Sequence, residues 1–256
     1  MAEKKDKPGN VTEEKGRLPI TQHFTEMRQR FIRSIVGIVI GTVLSMFFGD
    51  QLVLLLLQPA GELADNVQAI DVLEYISVYF RVALTAGFIL SMPWILYQFF
   101  AFLMPAFTPR EKRALYTGFP FIVGLFLAGV AFAYFLALPV TMYFLFEFGS
   151  EIVTVAPRIS TYIDLVLRLL VSIGLAFEMP IILGALSIAG IVNSKWLASK
   201  RKIWIVLAFI ISAFITPTLD PITQSLIAAP LVVLYEISIW LTRIIGRRKP
   251  PAVASS

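Results

Sequence analysis

Lys200-Arg201-Lys202 opens, and Arg243 with Arg247-Arg248-Lys249 closes, the stretch whose reading decides the fold. Between them Ile203-Trp204-Ile205-Val206-Leu207-Ala208-Phe209-Ile210-Ile211-Ser212-Ala213-Phe214-Ile215-Thr216 runs without a charge into Pro217-Thr218-Leu219-Asp220-Pro221. The chain then returns from Ile222 to Leu241 with one acid, Glu236. Two apolar runs with bases at both flanks and a proline-bounded polar turn between them make a membrane hairpin with both ends on one side. Its arms are short. At 1.5 Å per residue the first covers about 21 Å against a hydrocarbon layer of about 30 Å. Either the hairpin stops short of the far surface or the bilayer thins around it.

The rest of the chain repeats the pattern. It is 57% hydrophobic and 15% charged, with a mean hydropathy of +0.79, too apolar for a soluble domain. Spans are expected near 34–48, 75–102, 116–146, 162–186, 203–216 and 222–241. The ten-residue alternation of a membrane barrel is missing, so the expected class is an all-α integral membrane protein of six transmembrane helices. Residues 1–18 and 246–256 read as cytoplasmic tails, the first disordered, around a membrane domain at 19–245. The 116–146 run is long and carries Pro120, Gly124, Gly129 and Pro139, so it must tilt or kink. No cleavable leader or transit peptide is expected, because the first apolar run begins only near Phe31 and no small-residue cleavage site follows.

Orientation follows from charge. Of the 22 Lys and Arg, 19 fall in the N-terminal segment, the loops at Arg110–Arg113 and Lys195–Lys202, and the C-terminal tail; Arg158 alone lies in an opposite loop. The positive-inside rule then puts both termini in the cytoplasm. Arg81 and Arg168 lie near outer span ends, where long side chains snorkel; local pairing is expected, with Asp164 four residues before Arg168. The first outer loop holds Asp50, Glu62, Asp65, Asp71 and Glu74 and no base. Leu52 to Leu57 either extends the first span or lies on the outer surface, and Pro59 and Gly61 favour the second.

Several chemistries are excluded. There is no cysteine, and the one histidine, His23, lies outside every apolar run. Thiolate catalysis and a Cys- or His-rich metal centre are therefore ruled out, no cofactor is called for, and no phosphate loop with its lysine is present. The basic excess is explained by topology, so no nucleic-acid partner is expected.

Four groups of residues could carry function. Glu178, in Leu175-Ala176-Phe177-Glu178-Met179-Pro180, is an acid well inside a span, where acids mark function by default; Pro180 bends the helix beside it, which suits a concave, water-accessible face. Glu111 follows Thr108 and Pro109 at capping-box spacing, so it caps a helix, and its second oxygen is left to offer. Glu26 pairs with Arg30 at i+4 or serves a ligand. Asp220 and Gln224, one turn apart beside Thr216, satisfy orphan N–H groups or bind a partner's polar group. Glu236 reads as interfacial.

Read together, these residues resemble the TatC family, the multispanning subunit of the twin-arginine protein translocase, over about Pro19 to Arg243. Its His-Leu-x-Glu-Leu-Arg-x-Arg pattern stands here as His23-Phe24-Thr25-Glu26-Met27-Arg28-Gln29-Arg30. Its Pro-x-x-Leu-Tyr-Gln-x-x-x-Phe segment stands as Pro93-Trp94-Ile95-Leu96-Tyr97-Gln98-Phe99-Phe100-Ala101-Phe102. Glu111-Lys112-Arg113, Phe177-Glu178-Met179-Pro180 and the Thr-Pro…Asp…Gln of the last hairpin complete the match. The resemblance implies a concave bundle in the cell inner membrane, part of an oligomeric complex, that reads the paired arginines of signal peptides and exports folded proteins on the proton-motive force. Glu26 and Glu111 would face the arginines, with Gln98 and Phe102 nearby. Glu178 would face the concave surface. Asp220 and Gln224, with Thr216, would dock small single-span subunits of the TatA/TatB type. The competing reading is a proton-coupled small-solute transporter or channel using Glu178. An intramembrane enzyme lacks a nucleophile with its base.

Overall fold

The computed structural model describes residues 20–61, 67–147, 156–216 and 221–246. The N-terminal tail, residues 247–256 and Asp220 lie outside them. Ten α-helices follow in order: α1 Ile20–Met46, α2 Gly49–Leu57, α3 Glu74–Leu103, α4 Pro109–Phe132, α5 Leu138–Glu147, α6 Ile159–Phe177, α7 Met179–Ile188, α8 Ser194–Ser199, α9 Arg201–Ile215 and α10 Pro221–Gly246. The described residues form no strand beyond a single bridge between Gln68 and Arg158.

Five helical stretches are long and apolar enough to cross a membrane: Phe24–Met46, Glu74–Ala106, Pro109–Leu145, Ile159–Ile188 and Pro221–Ile245. The remaining expected span, α9, has only 15 residues, about 22 Å. The last span is not short, contrary to expectation. α10 has 26 residues, about 39 Å, because the apolar run stops at Leu241 but no helix breaker follows before Gly246. α1 likewise starts well before its apolar run. Hydropathy reads the lipid boundary, whereas the helix ends where capping and backbone chemistry end it.

The long third span solves its length with a π-turn. Residues Ala133–Ala137 adopt π geometry between α4 and α5, the Leu138 N–H reaching back to Ala133 O. Pro139 follows at once and has no N–H to continue the α pattern, a common setting for such a bulge. Leu52–Leu57 belongs to a separate helix, α2, set off from α1 by a turn at Phe47–Phe48. α2 buries Gly49, Val53 and Leu56.

α1 packs antiparallel along α3 through small residues. Ideal Cβ atoms would strike Trp94 from Gly37 and Gly87 O from Gly41, and just past α1 the Tyr79 ring from Gly49 at the start of α2. Such close approach through glycine is how membrane helices gain contact without a hydrophobic driving force. Tyr79 Oη donates to Met46 O at one end of the seam, and Trp94 Nε1 donates to Arg33 O at 3.0 Å near the other. One core cluster joins α2, α3 and α6 around Val78, Val82, Ile163 and Leu169. Another joins the second half of α3 to α4 and α7 around Phe100, Ile122, Phe126 and Ala185. Below, the end of the bundle where α1 starts and α3 finishes is called proximal, and the end where α3 and α6 start distal.

Candidate functional site

The proximal end gathers the two carboxylates singled out in the sequence. On α1 the less exposed positions are Glu26, Arg30, Ser34, Gly37, Ile38, Gly41, Thr42, Ser45 and Met46, a single stripe at helical spacing that faces α3. The contacts Met46–Tyr79, Gly41–Gly87 and Arg33–Trp94 fix the antiparallel register. Continued two turns, that register sets Arg30 level with Gln98 and Glu26 level with Phe102. Glu26 is held by Arg30, whose Nε and Nη2 donate to Oε1 at 3.0 and 2.6 Å. The expected i+4 pair is therefore present, and the Glu26 side chain keeps 27% of its surface exposed. Gln98 and Phe102 are one turn apart on α3. Gln98 is only 3% exposed, and its Oε1 has no hydrogen-bond partner among the described residues.

Glu111 leads α4 at the same end. Phe107 is buried and pins the turn after α3, so the chain re-enters the bundle at Thr108. The capping box forms as expected: Thr108 Oγ1 accepts from Glu111 N at 3.4 Å, and Glu111 Oε2 accepts from Thr108 N at 2.8 Å. Among the described residues that leaves Oε1 uncommitted. Glu111 also borders an apolar cavity of about 280 Å³ between Phe100, Phe107, Leu115, Ile188 and Leu241. A half-exposed carboxylate over an apolar hollow suits a cation carried on an apolar chain.

Glu178 lies inside the bundle. It forms the break between α6 and α7, is 0% exposed, and both carboxyl oxygens lack a partner among the described residues. Beside it α4 and α6 pack closely, at Gly129 against Phe177 and at Gly174 against Phe126 and Val130. The helix break beside Pro180 is as expected.

At the last hairpin, Thr216 caps the end of α9, is buried and donates to Ser212 O at 3.0 Å. Gln224 Nε2 donates to Phe209 O at 2.8 Å, and Ser212 Oγ donates to Gln224 O at 2.6 Å. These bonds lace α9 to α10, so the Gln224 amide nitrogen already has an internal task. Glu236 pairs with Arg201, Arg201 Nη2 lying 2.8 Å from Oε2.

A polar site at the distal end was not singled out from sequence. Glu74, 6% exposed, accepts from Ile70 N (2.8 Å), Asp71 N (3.2 Å), Arg158 Nε (2.9 Å) and Ser160 N (3.1 Å). Beside it Gln68 N donates to Pro157 O and Ile159 N to Gln68 O. The two loops are thus clasped across the starts of α3 and α6. The signal was present: Arg158 is the lone base among the acids of the outer loops. The expected partnership of Asp164 with Arg168 is also replaced. Asp164 is held by Arg81 across the α3–α6 seam, Nη1 lying 2.7 and 2.8 Å from its two oxygens.

Residues 22–230 match the family of the Sec-independent protein translocase protein TatC. The chain belongs to the TatC family. It is 40% identical to TatC of Aquifex aeolicus over 239 residues, 91% of this chain and 98% of the relative. It is 34% identical to TatC of Carboxydothermus hydrogenoformans over 89% and 94% of the two chains. Its fold matches a crystal structure of the twin-arginine translocase receptor TatC with a TM-score of 0.80 at 38% identity, covering 88% of this chain and all of that one. As a TatC homologue the chain is a multi-pass membrane subunit of Sec-independent protein translocation, a transport component.

Proposed function

We propose that this chain is the receptor of its translocase and reads the paired arginines of signal peptides with Glu26 and Glu111. The observation that carries this reading is two partly exposed carboxylates at one end of the bundle. Each is held by a neighbour that leaves part of it uncommitted. A guanidinium fork fits a carboxylate in two-point fashion, which favours arginine over lysine. Exposed ion pairs contribute about 0–1 kcal/mol each, so the two acids supply discrimination. Burial of the signal's apolar region against the bundle supplies most of the affinity. Gln98, with a buried acceptor to offer, and Phe102, level with Glu26, complete the face. The proximal end is cytoplasmic in the inner membrane, both termini with it. Folded cargo crosses on the proton-motive force with small single-span subunits of the TatA/TatB type, docked near Thr216, Asp220 and Gln224.

The test is Glu26→Gln with Glu111→Gln in a strain lacking its own copy. Export of a folded twin-arginine reporter and crosslinking of its signal to the α3–α4 loop should both fall while membrane insertion stays normal. Unchanged export and crosslinking in the double variant would leave the carboxylates with structural roles only.

A further inference from the structure

Side chains that leave a spanning bundle meet lipid tails, so an exposed polar stripe there needs a polar counterpart. The distal half of α6 carries such a stripe. Ile163, Val166, Leu169 and Ile173 are buried, while Thr161 and Arg168 are exposed and the Asp164 side chain is 35% exposed. Asp164 and Arg168 share one helix face. Across the seam Arg81, 48% exposed, reaches Asp164 through Nη1 alone. Among the described residues the hydrogen bonds from Arg81 to Asp164 leave Nε and Nη2 unused, and Arg168 forms no ion pair. Two cations around one anion leave one net positive charge and a set of unused planar donors.

Depth identifies the counterpart. The stretches containing Arg81 and Arg168 have 33 and 30 residues, about 50 and 45 Å, against a hydrocarbon layer of about 30 Å. Each therefore overhangs by about 7–10 Å at an end. Arg81 lies about 10 Å along α3 from Glu74, and Arg168 about 13 Å along α6 from Ile159. Both guanidiniums thus reach the distal hydrocarbon boundary by extending outward, where lipid phosphates lie.

We propose that this face binds one phospholipid of the distal leaflet by its phosphate, held between Arg168 and the free edge of Arg81. Guanidinium donors match phosphate oxygens in two-point fashion. Asp164 fixes Arg81 and trims the cluster to a single positive charge, matching one phosphodiester. The headgroup lies toward Ser77 and Thr161, and the tails run inward past Leu84 and Leu175, both exposed. A partner helix would have to carry a carboxylate to this depth, whereas phosphate is already there.

The experiment is native mass spectrometry of the purified, delipidated chain titrated with phosphatidylglycerol, phosphatidylcholine, diacylglycerol or inorganic phosphate. One phosphatidylglycerol should bind about tenfold or more tighter than diacylglycerol, equivalent to about 1.4 kcal/mol. Arg168→Gln should abolish that preference without changing lipid-free thermal unfolding, Arg168→Lys should restore part of it, and Asp164→Asn should strengthen anion binding. Equal binding of diacylglycerol, an unaltered preference in Arg168→Gln, or inorganic phosphate binding as well as the lipid would overturn the proposal. So would loss of self-association or of a co-purified helix in Arg168→Gln with the lipid preference intact.

Discussion

A Cβ atom on Gly41 would come within 2.5 Å of the Gly87 carbonyl oxygen, and one on Gly87 within 2.3 Å of Thr42 N. The backbones of α1 and α3 touch here, and this contact sets the register that carries Glu26 to the level of Phe102. The obstruction is backbone, which cannot rotate away. Gly41→Val and Gly87→Val should each lower stability by about 1–3 kcal/mol, the usual cost of overpacking. Reporter export should fall with it. Gly118, with nothing within 4 Å of its Cβ position, is the control: Gly118→Ala should be neutral or stabilising in the same detergent unfolding assay.

Capping and recognition can be separated at the start of α4. Thr108→Ala removes the oxygen that accepts from Glu111 N and should cost about 1 kcal/mol of stability. Glu111→Gln keeps an acceptor for Thr108 N but discards the charge. Its stability should hold, while affinity for a twin-arginine peptide falls roughly fivefold, the value of about 1 kcal/mol. Calorimetry and peptide-binding titration on both variants give the four numbers needed. Equal peptide affinity in wild type and Glu111→Gln would assign Glu111 to capping alone.

Glu178 is buried, and neither carboxyl oxygen has a partner within hydrogen-bond distance among the described residues, an arrangement that costs roughly 1–3 kcal/mol. Glu178→Leu should therefore raise the unfolding temperature while lowering export, since a group kept at a cost in stability is kept for function. If the substitution destabilises the protein, the carboxyl has a partner in the folded membrane protein and its role is architectural.

The distal clasp rests on Glu74 more than on Arg158. Glu74 accepts from three backbone N–H groups as well as from Arg158 Nε. Glu74→Ala strands those donors, whereas Arg158→Ala removes one bond and leaves the Gln68 pairing intact. The unfolding temperature should drop further in Glu74→Ala, and protease sensitivity of the loop before α3 should rise in step.

Helical spacing and elementary capping rules made the local features legible. The Glu26–Arg30 pair, the Thr108–Glu111 box and the break at Glu178 each involve residues within four positions of one another. The features that escaped are long-range. Arg81 with Asp164 and Glu74 with Arg158 join residues 83 and 84 positions apart. From the chain alone Asp164 had a nearer candidate in Arg168, and only the packing angle of α3 against α6 decided between them. The extents of α1 and α10 were misjudged for another reason. An apolar run measures the lipid core, and a helix continues into water until something ends it.

By itself the sequence determined the membrane class and the helical spans, and it singled out the acids on which the proposal rests. Those depend on transfer of side chains into hydrocarbon and on charges near each end, quantities that add along the chain. Tertiary structure alone decided which acids share an end of the bundle, which are sealed and which are clasped. Those outcomes depend on how closely two backbones approach, and at Gly41 and Gly87 that distance is set by the absence of a side chain on both partners.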